Sequence, residues 1–142
     1  IKKDINLKKK KILKNDVSNK INPILRKIVT NKEGTASLAN LEGYEVGGKT
    51  GTAQKSMLGG YSKNKINTFA SVFPISNPKF VFVVMLDEPK TNSEYVYNYL
   101  DGSGIIHKGT PFNTAGWTTV EVVGQIIEKI GPILATKYNE VY

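Results

Sequence analysis

Lys49, Thr50, Gly51 and Thr52 bring an ammonium, two hydroxyls and a backbone position without a side chain into four consecutive residues. They lie inside the run Gly47-Gly48-Lys49-Thr50-Gly51-Thr52-Ala53-Gln54. Counted from Gly43, the stretch Gly43-Tyr44-Glu45-Val46-Gly47-Gly48-Lys49-Thr50 spells G-x-x-x-x-G-K-T, the loop whose backbone N–H groups cradle nucleotide phosphates. Such a loop must launch a helix whose N-terminus faces the phosphates. Here Gly51-Thr52-Ala53 follows, with Gly59-Gly60 soon after, and no apolar stripe is present for a helix to bury. A glycine-interrupted strand is the better reading. Val83-Val84-Met85-Leu86-Asp87-Glu88 has the form of an apolar strand ending in a magnesium-binding Asp, and equally that of a core strand ending in solvent.

Other chemistry is thinly supplied. His107 is the only histidine and there is no cysteine, so disulfides and thiolates are excluded, a metal site is not expected and no cofactor is implied. Glu42 with Glu45, and Asp87 with Glu88, are carboxylate pairs expected to be solvated charges. Tyr95, Tyr97 and Tyr99 alternate as a partner-binding face would, or as one side of a hairpin arm. Trp117 is expected as a packing anchor.

The elements that position these residues follow from periodicity. Ile21, Ile24, Leu25, Ile28 and Val29 have helical spacing, which predicts an amphipathic helix capped by Ser18, or one starting at Pro23 behind Asn22. Residues 44–54 read as a strand, 56–65 as a loop, 68–73 as a second strand and 76–79 as a turn. Residues 80–86 form a continuous apolar run, expected as a central strand covered on both faces. Residues 91–117 look irregular. A last helix is expected from Thr118, with Thr118-x-x-Glu121 as a capping box and Val123, Ile126, Ile127, Ile130 and Leu134 as its buried stripe, disturbed at Gly131-Pro132. The sum is an α+β chain, an antiparallel sheet flanked by helices.

The 142 residues suit about one domain, with 39% hydrophobic and 23% charged residues. The net charge of +8 is uneven, because residues 1–14 hold seven lysines against Asp4 while the remainder is nearly balanced. No aromatic residue interleaves those lysines, so a nucleic-acid stacking platform is not expected. Residues 1–17 read as a basic, poorly ordered segment or linker and 18–142 as the folded part. No apolar run is long enough to span a bilayer, and the start has no signal-peptide core.

From residue 18 onward the chain resembles the C-terminal part of the transpeptidase domain of a class B penicillin-binding protein of the cell-division type. The landmarks come in family order. Val17-Ser18 opens a helix containing Arg26. Gly34-Thr35-Ala36, Gly43-Tyr44 and Gly47-Gly48-Lys49-Thr50-Gly51-Thr52-Ala53-Gln54 follow. After them come Phe69-Ala70-Ser71-Val72-Phe73-Pro74, the strand closing in Glu88-Pro89, and Asn113-Thr114-Ala115-Gly116-Trp117.

The resemblance implies a partial penicillin-binding/β-lactamase-like fold. It also implies acyl transfer at the D-alanyl-D-alanine end of a peptidoglycan stem peptide, with β-lactams as substrate mimics. Lys49 is then a catalytic ammonium, and the Thr52 N–H is half of an oxyanion hole. Thr50 donates to the substrate carboxylate, and Gly51 leaves the strand edge open. The family also needs a nucleophilic Ser in S-x-x-K and an S-x-N before the Lys-Thr-Gly strand, and neither precedes Lys49. Ser62-Lys63-Asn64-Lys65 and Ser76-Asn77-Pro78-Lys79 follow it and are expected to be surface residues. The implied protein is part of an enzyme, inactive alone, whose partners are the N-terminal half of the domain and division proteins at the periplasmic face of an inner membrane. A phosphate-loop hydrolase and a non-catalytic basic adaptor are the other two readings.

Overall fold

A computed structural model describes residues 11–94, 96–98, 106–108 and 113–138. Helix α1 (Asn15–Thr30) leads through a single 3₁₀ turn (Ser37–Ala39) to three strands, β1 (Gly47–Met57), β2 (Gly60–Phe73) and β3 (Phe80–Asp87). A short pair, β4 (Val96–Asn98) and β5 (Ile106–Lys108), precedes a second 3₁₀ turn (Ala115–Trp117) and helix α2 (Thr119–Tyr138). Among the described residues no helix is long and apolar enough to cross a membrane.

Helix α1 starts earlier than its apolar spacing predicts. Lys14 occupies the N-cap without a side-chain cap bond, so Ser18 sits inside the helix instead of capping it. Asp16 in the first turn favours the positive end of the helix and bonds Lys20 at 3.3 Å. Pro23 lies in the interior, and Asn22 does not cap but donates to the Ile75 carbonyl at 3.3 Å. Only the C-terminal end of the expected stripe is covered. Val29 is fully buried and Leu25 and Ile28 half-buried, while Ile21 and Ile24 are exposed.

The three strands form an antiparallel meander in the order β1-β2-β3, with Lys49 opposite Ala70 and Ala70 opposite Val83. Residues 56–65 are not a loop. The β1–β2 ladder runs to Met57 opposite Gly60, closing over Leu58-Gly59, where Gly59 has φ of 87°. A two-residue turn of this kind needs the positive φ that glycine allows. The hairpin end is exposed on both faces because it projects beyond the core, leaving even Met57 and Tyr61 in solvent, so no period-2 signal marks it.

Among the described residues β3 is not a central strand covered on both faces: β2 is its one paired neighbour, and its alternate residues point to opposite faces. Phe80, Phe82, Val84 and Leu86 turn inward, while Val81, Val83 and Met85 are 73%, 66% and 63% exposed. Directly paired residues share a face, so the inner face continues across Phe69 and Phe73 of β2, both fully buried.

Helix α2 covers that inner face with Val120, Val123 and Ile127, all fully buried; Ile126, Ile130 and Leu134 of the expected stripe are half-buried. Val29, Ala36, Ala39 and Val46 complete the cluster. The expected disturbance at Gly131-Pro132 does not interrupt α2, which runs on to Tyr138. Pro132 is exposed, and Gly131 is buried where a Cβ would lie 2.1 Å from the Tyr44 ring. The expected tyrosine arm coincides with the β4–β5 pair, in which Tyr97 faces His107 across the ladder. Tyr95, Tyr99 and residues 1–10 lie outside the described residues, as do the side chains of Tyr97 and His107.

Candidate functional site

The tetrad Lys49-Thr50-Gly51-Thr52 sits in the first half of β1, at an edge of the sheet. Alternation along the strand divides it. Thr50 and Thr52 pair with Phe69 and Asn67, so they share the inner face; Lys49 and Gly51 pair with Ala70 and Thr68 and share the outer one. The strand edge between these faces, which no other strand covers among the described residues, carries the main-chain groups of every second residue, the others being turned to β2.

On the inner face Thr50 and Thr52 open into a cavity of about 540 Å³, lined also by Lys32, Glu33, Thr35, Thr114 and Trp117. That volume suits a small ligand. The Thr50 and Thr35 hydroxyl oxygens are 2.9 Å apart. The Thr52 hydroxyl accepts the Ala115 N–H at 3.0 Å.

The segment supplying Ala115 and Trp117 is tied down by a polar network. The fully buried Asn67 donates to the Asn113 side-chain oxygen at 2.9 Å and to the Thr118 hydroxyl at 3.0 Å. Asn113 donates to the Pro89 carbonyl at 2.7 Å, and Thr118 to the Thr114 carbonyl at 2.9 Å. Trp117, expected as a packing anchor, is half-buried and forms part of the cavity wall.

On the outer face Lys49 is exposed and donates to the Thr50 carbonyl at 2.7 Å. Lys49 and the threonine hydroxyls therefore do not meet in the cavity; they flank one strand edge. Gly51 has a reason within the chain, since a Cβ there would lie 2.6 Å from the Thr68 hydroxyl. Gly48 is equally constrained, its Cβ position lying 2.7 Å from the Phe69 ring. At the head of β1, Arg26 donates to the Val46 carbonyl at 2.7 Å, and its partial burial holds its pKa below the usual value, opposed by nearby Glu45.

The phosphate-loop pattern has no counterpart here. Lys49 and Thr50 continue into a strand that ends at Met57, so no helix N-terminus faces a phosphate position. Asp87 and Glu88 each accept from Lys55 at 2.9 Å. Those two bonds, Asp87's first, raise the Lys55 pKa, and the Lys55 bond lowers that of Glu88. Glu45 accepts from the Ser76 hydroxyl, so Ser76 is engaged on the surface. Ser62 lies eight residues along β2 from Ala70, the partner of Lys49, about 26 Å away at strand spacing. Neither downstream serine is placed as a nucleophile beside Lys49. Among the described residues no cluster of His, Asp or Glu could hold a metal ion.

Thr35 and Thr114 are site residues that sequence reasoning cited only as landmarks. The signal that could have found Thr35 is the glycine before it, since a Cβ on Gly34 would lie 2.2 Å from the Ile28 carbonyl oxygen. That crowding holds the next residue against the site.

Residues 2–100 match the family model described as the penicillin-binding protein transpeptidase domain. Over 123 residues the chain is 36% identical to a peptidoglycan D,D-transpeptidase FtsI homolog of Mesostigma viride, an alignment covering 84% of this chain and 18% of that one. The chain thus spans less than a quarter of the length of the curated relatives it matches. Its fold is similar to the transpeptidase domain of penicillin-binding protein 3 from Burkholderia pseudomallei, with a TM-score of 0.51 and 28% identity, covering 78% of this chain and 29% of that one. It is also similar to penicillin-binding protein 3 of Mycobacterium tuberculosis complexed with ampicillin, with a TM-score of 0.52 and 28% identity over 78% of this chain and 23% of that one. The landmark order, the edge-strand tetrad and these matches agree: the chain belongs to the transpeptidase family of class B penicillin-binding proteins and carries part of that domain.

Proposed function

We propose that this chain supplies the substrate-binding wall of a peptidoglycan D,D-transpeptidase of the cell-division type, working at the periplasmic face of the inner membrane. The observation that carries this reading is the placement of Lys49-Thr50-Gly51-Thr52 on an edge strand whose two threonine hydroxyls line a cavity. A stem peptide ending in D-alanyl-D-alanine adds to the β1 edge as an extended strand. Thr50 and Thr52 donate to its terminal carboxylate. The Thr52 N–H takes the oxygen that becomes negative in the tetrahedral intermediate. Lys49, on the other side of the same edge, supplies a positive charge that favours deprotonation of a neighbouring nucleophile.

The nucleophilic serine is not among the residues around this wall, so it comes from another part of the domain. That part packs on the outer face of the sheet, against Val81, Val83 and Met85. β-Lactams occupy the same wall, a reading supported by similarity to the Mycobacterium tuberculosis protein complexed with aztreonam and with ampicillin.

The test is fluorescent-penicillin labelling of the protein at native length, beside its Lys49→Ala form and the 142-residue chain alone. The expected result is covalent labelling at native length, at least tenfold weaker labelling in Lys49→Ala (a group activating a nucleophile contributes about 10² to 10⁴ in rate), and none on the isolated chain. Equal labelling of the Lys49→Ala form would overturn the role of Lys49. Stoichiometric labelling of the isolated chain would overturn the separation of wall and nucleophile.

A further inference from the structure

We propose that Thr35 is a positioning residue that commits the Thr50 hydroxyl to donating, and so makes the cavity select a carboxylate over a neutral carbonyl group. The inference rests on the function proposed above. A hydroxyl has one proton to donate and can accept as well. With the two oxygens 2.9 Å apart, one hydroxyl donates to the other. When Thr35 donates, the Thr50 proton is turned away from Thr35 and toward the cavity that both residues line. Thr52 is prepared in the same way by another group. Its oxygen accepts the Ala115 N–H, which leaves its own proton for a ligand. The wall then presents two hydroxyl donors from one face of one strand. A carboxylate and an ester both only accept, but a hydrogen bond to the charged carboxylate is about twice as strong, so a pair of donors favours the carboxylate.

Thr35 can do this because its backbone is clamped from two sides. The Ala36 N–H donates to the Ile28 carbonyl at 3.2 Å, and Gly34 has no room for a side chain against that same carbonyl. Across the cavity, Gly116 passes so close that a Cβ would lie 2.7 Å from the Thr35 carbonyl oxygen. The side chain itself is exposed, so its hydroxyl is not required to complete the core.

The experiment measures the second-order rate constant of acylation by benzylpenicillin and by its carboxyl methyl ester, in the native-length protein carrying Thr35→Val or Thr35→Ser. The expected result is about tenfold slower acylation by the acid in Thr35→Val, because the Thr50 hydroxyl loses the partner that orients its proton toward the ligand. The ester rate should barely change, and Thr35→Ser should restore the acid rate. If Thr35→Val does not fold, Thr35→Ala removes the same hydroxyl from an exposed position and reads the same ratio. Equal slowing of acid and ester, or no slowing of either, overturns the inference while leaving the transpeptidase reading intact. A folded native-length protein that neither compound acylates overturns both.

Discussion

Lys55 sits on β1, close to the tetrad in sequence, and its partners are the last residue of β3 and the one after it, so one ammonium fastens the two outer strands of the sheet across β2. The sign of its pH dependence follows from the directions of the shifts. Glu88 is held below its ordinary pKa by the Lys55 bond, so its contribution is present above the unfolded value of about 4.3 and is lost as pH falls through the lower folded value. Lys55 is raised, so its contribution is present below about 10.4 and is lost as pH rises through the higher folded value. Between these limits the clamp is constant. The Tm difference between wild type and Glu88→Gln should be largest near neutral pH and vanish in strong acid, as thermal melts from pH 2 to 8 would show. A difference independent of pH would mean that the carboxylate charge is irrelevant.

At the scale of elements, the contact between helix α2 and the loop before β1 depends on Gly131. Its Cβ position falls inside the Tyr44 ring envelope, so Gly131→Ala overpacks the contact and should destabilise by about 1–3 kcal/mol. Denaturant titration of the native-length protein measures this, and pairing the change with Tyr44→Ala should recover part of the loss. Phe69→Ala, at the centre of the sheet's inner face, should cost about 3–5 kcal/mol.

Helix α2 was legible in the sequence because Val123 and Ile127 keep a helical spacing that burial then uses. The tetrad was legible because its residues are contiguous. β3 was misread because seven apolar residues in a row do not say which of them face solvent. Val83 and Val84 are the same residue type on opposite faces. The hairpin beyond Gln54 was missed because neither of its faces is buried, and burial is what imprints a period. Thr35 was missed as a partner of Thr50 because the fourteen residues between them carry no sign of where a chain returns.

At the scale of the molecule, β3 has no strand on its outer edge among the described residues, and it exposes Val81, Val83 and Met85. An exposed apolar edge strand invites pairing with another chain. The 142-residue chain in isolation should therefore self-associate, and Val83→Lys should shift it toward monomer, as light scattering at several concentrations would report. A monodisperse wild-type monomer would count against this, and against the outer face as the docking surface for the rest of the domain.

β1 and β2 pair in continuous register from Gly47 to Gln54, and the irregularity between Gln54 and Ser56 falls beyond the tetrad. The division of labour along β1 is a matter of phase, hydroxyls on even positions and ammonium on an odd one. Losing a single residue between Gly48 and Thr52 would exchange the two sides of the wall at once, a harsher change than any substitution there. Residues added or lost past the irregularity would leave that phase untouched. The hairpin tip is thus free to vary in length, while the eight residues before it tolerate no change of frame.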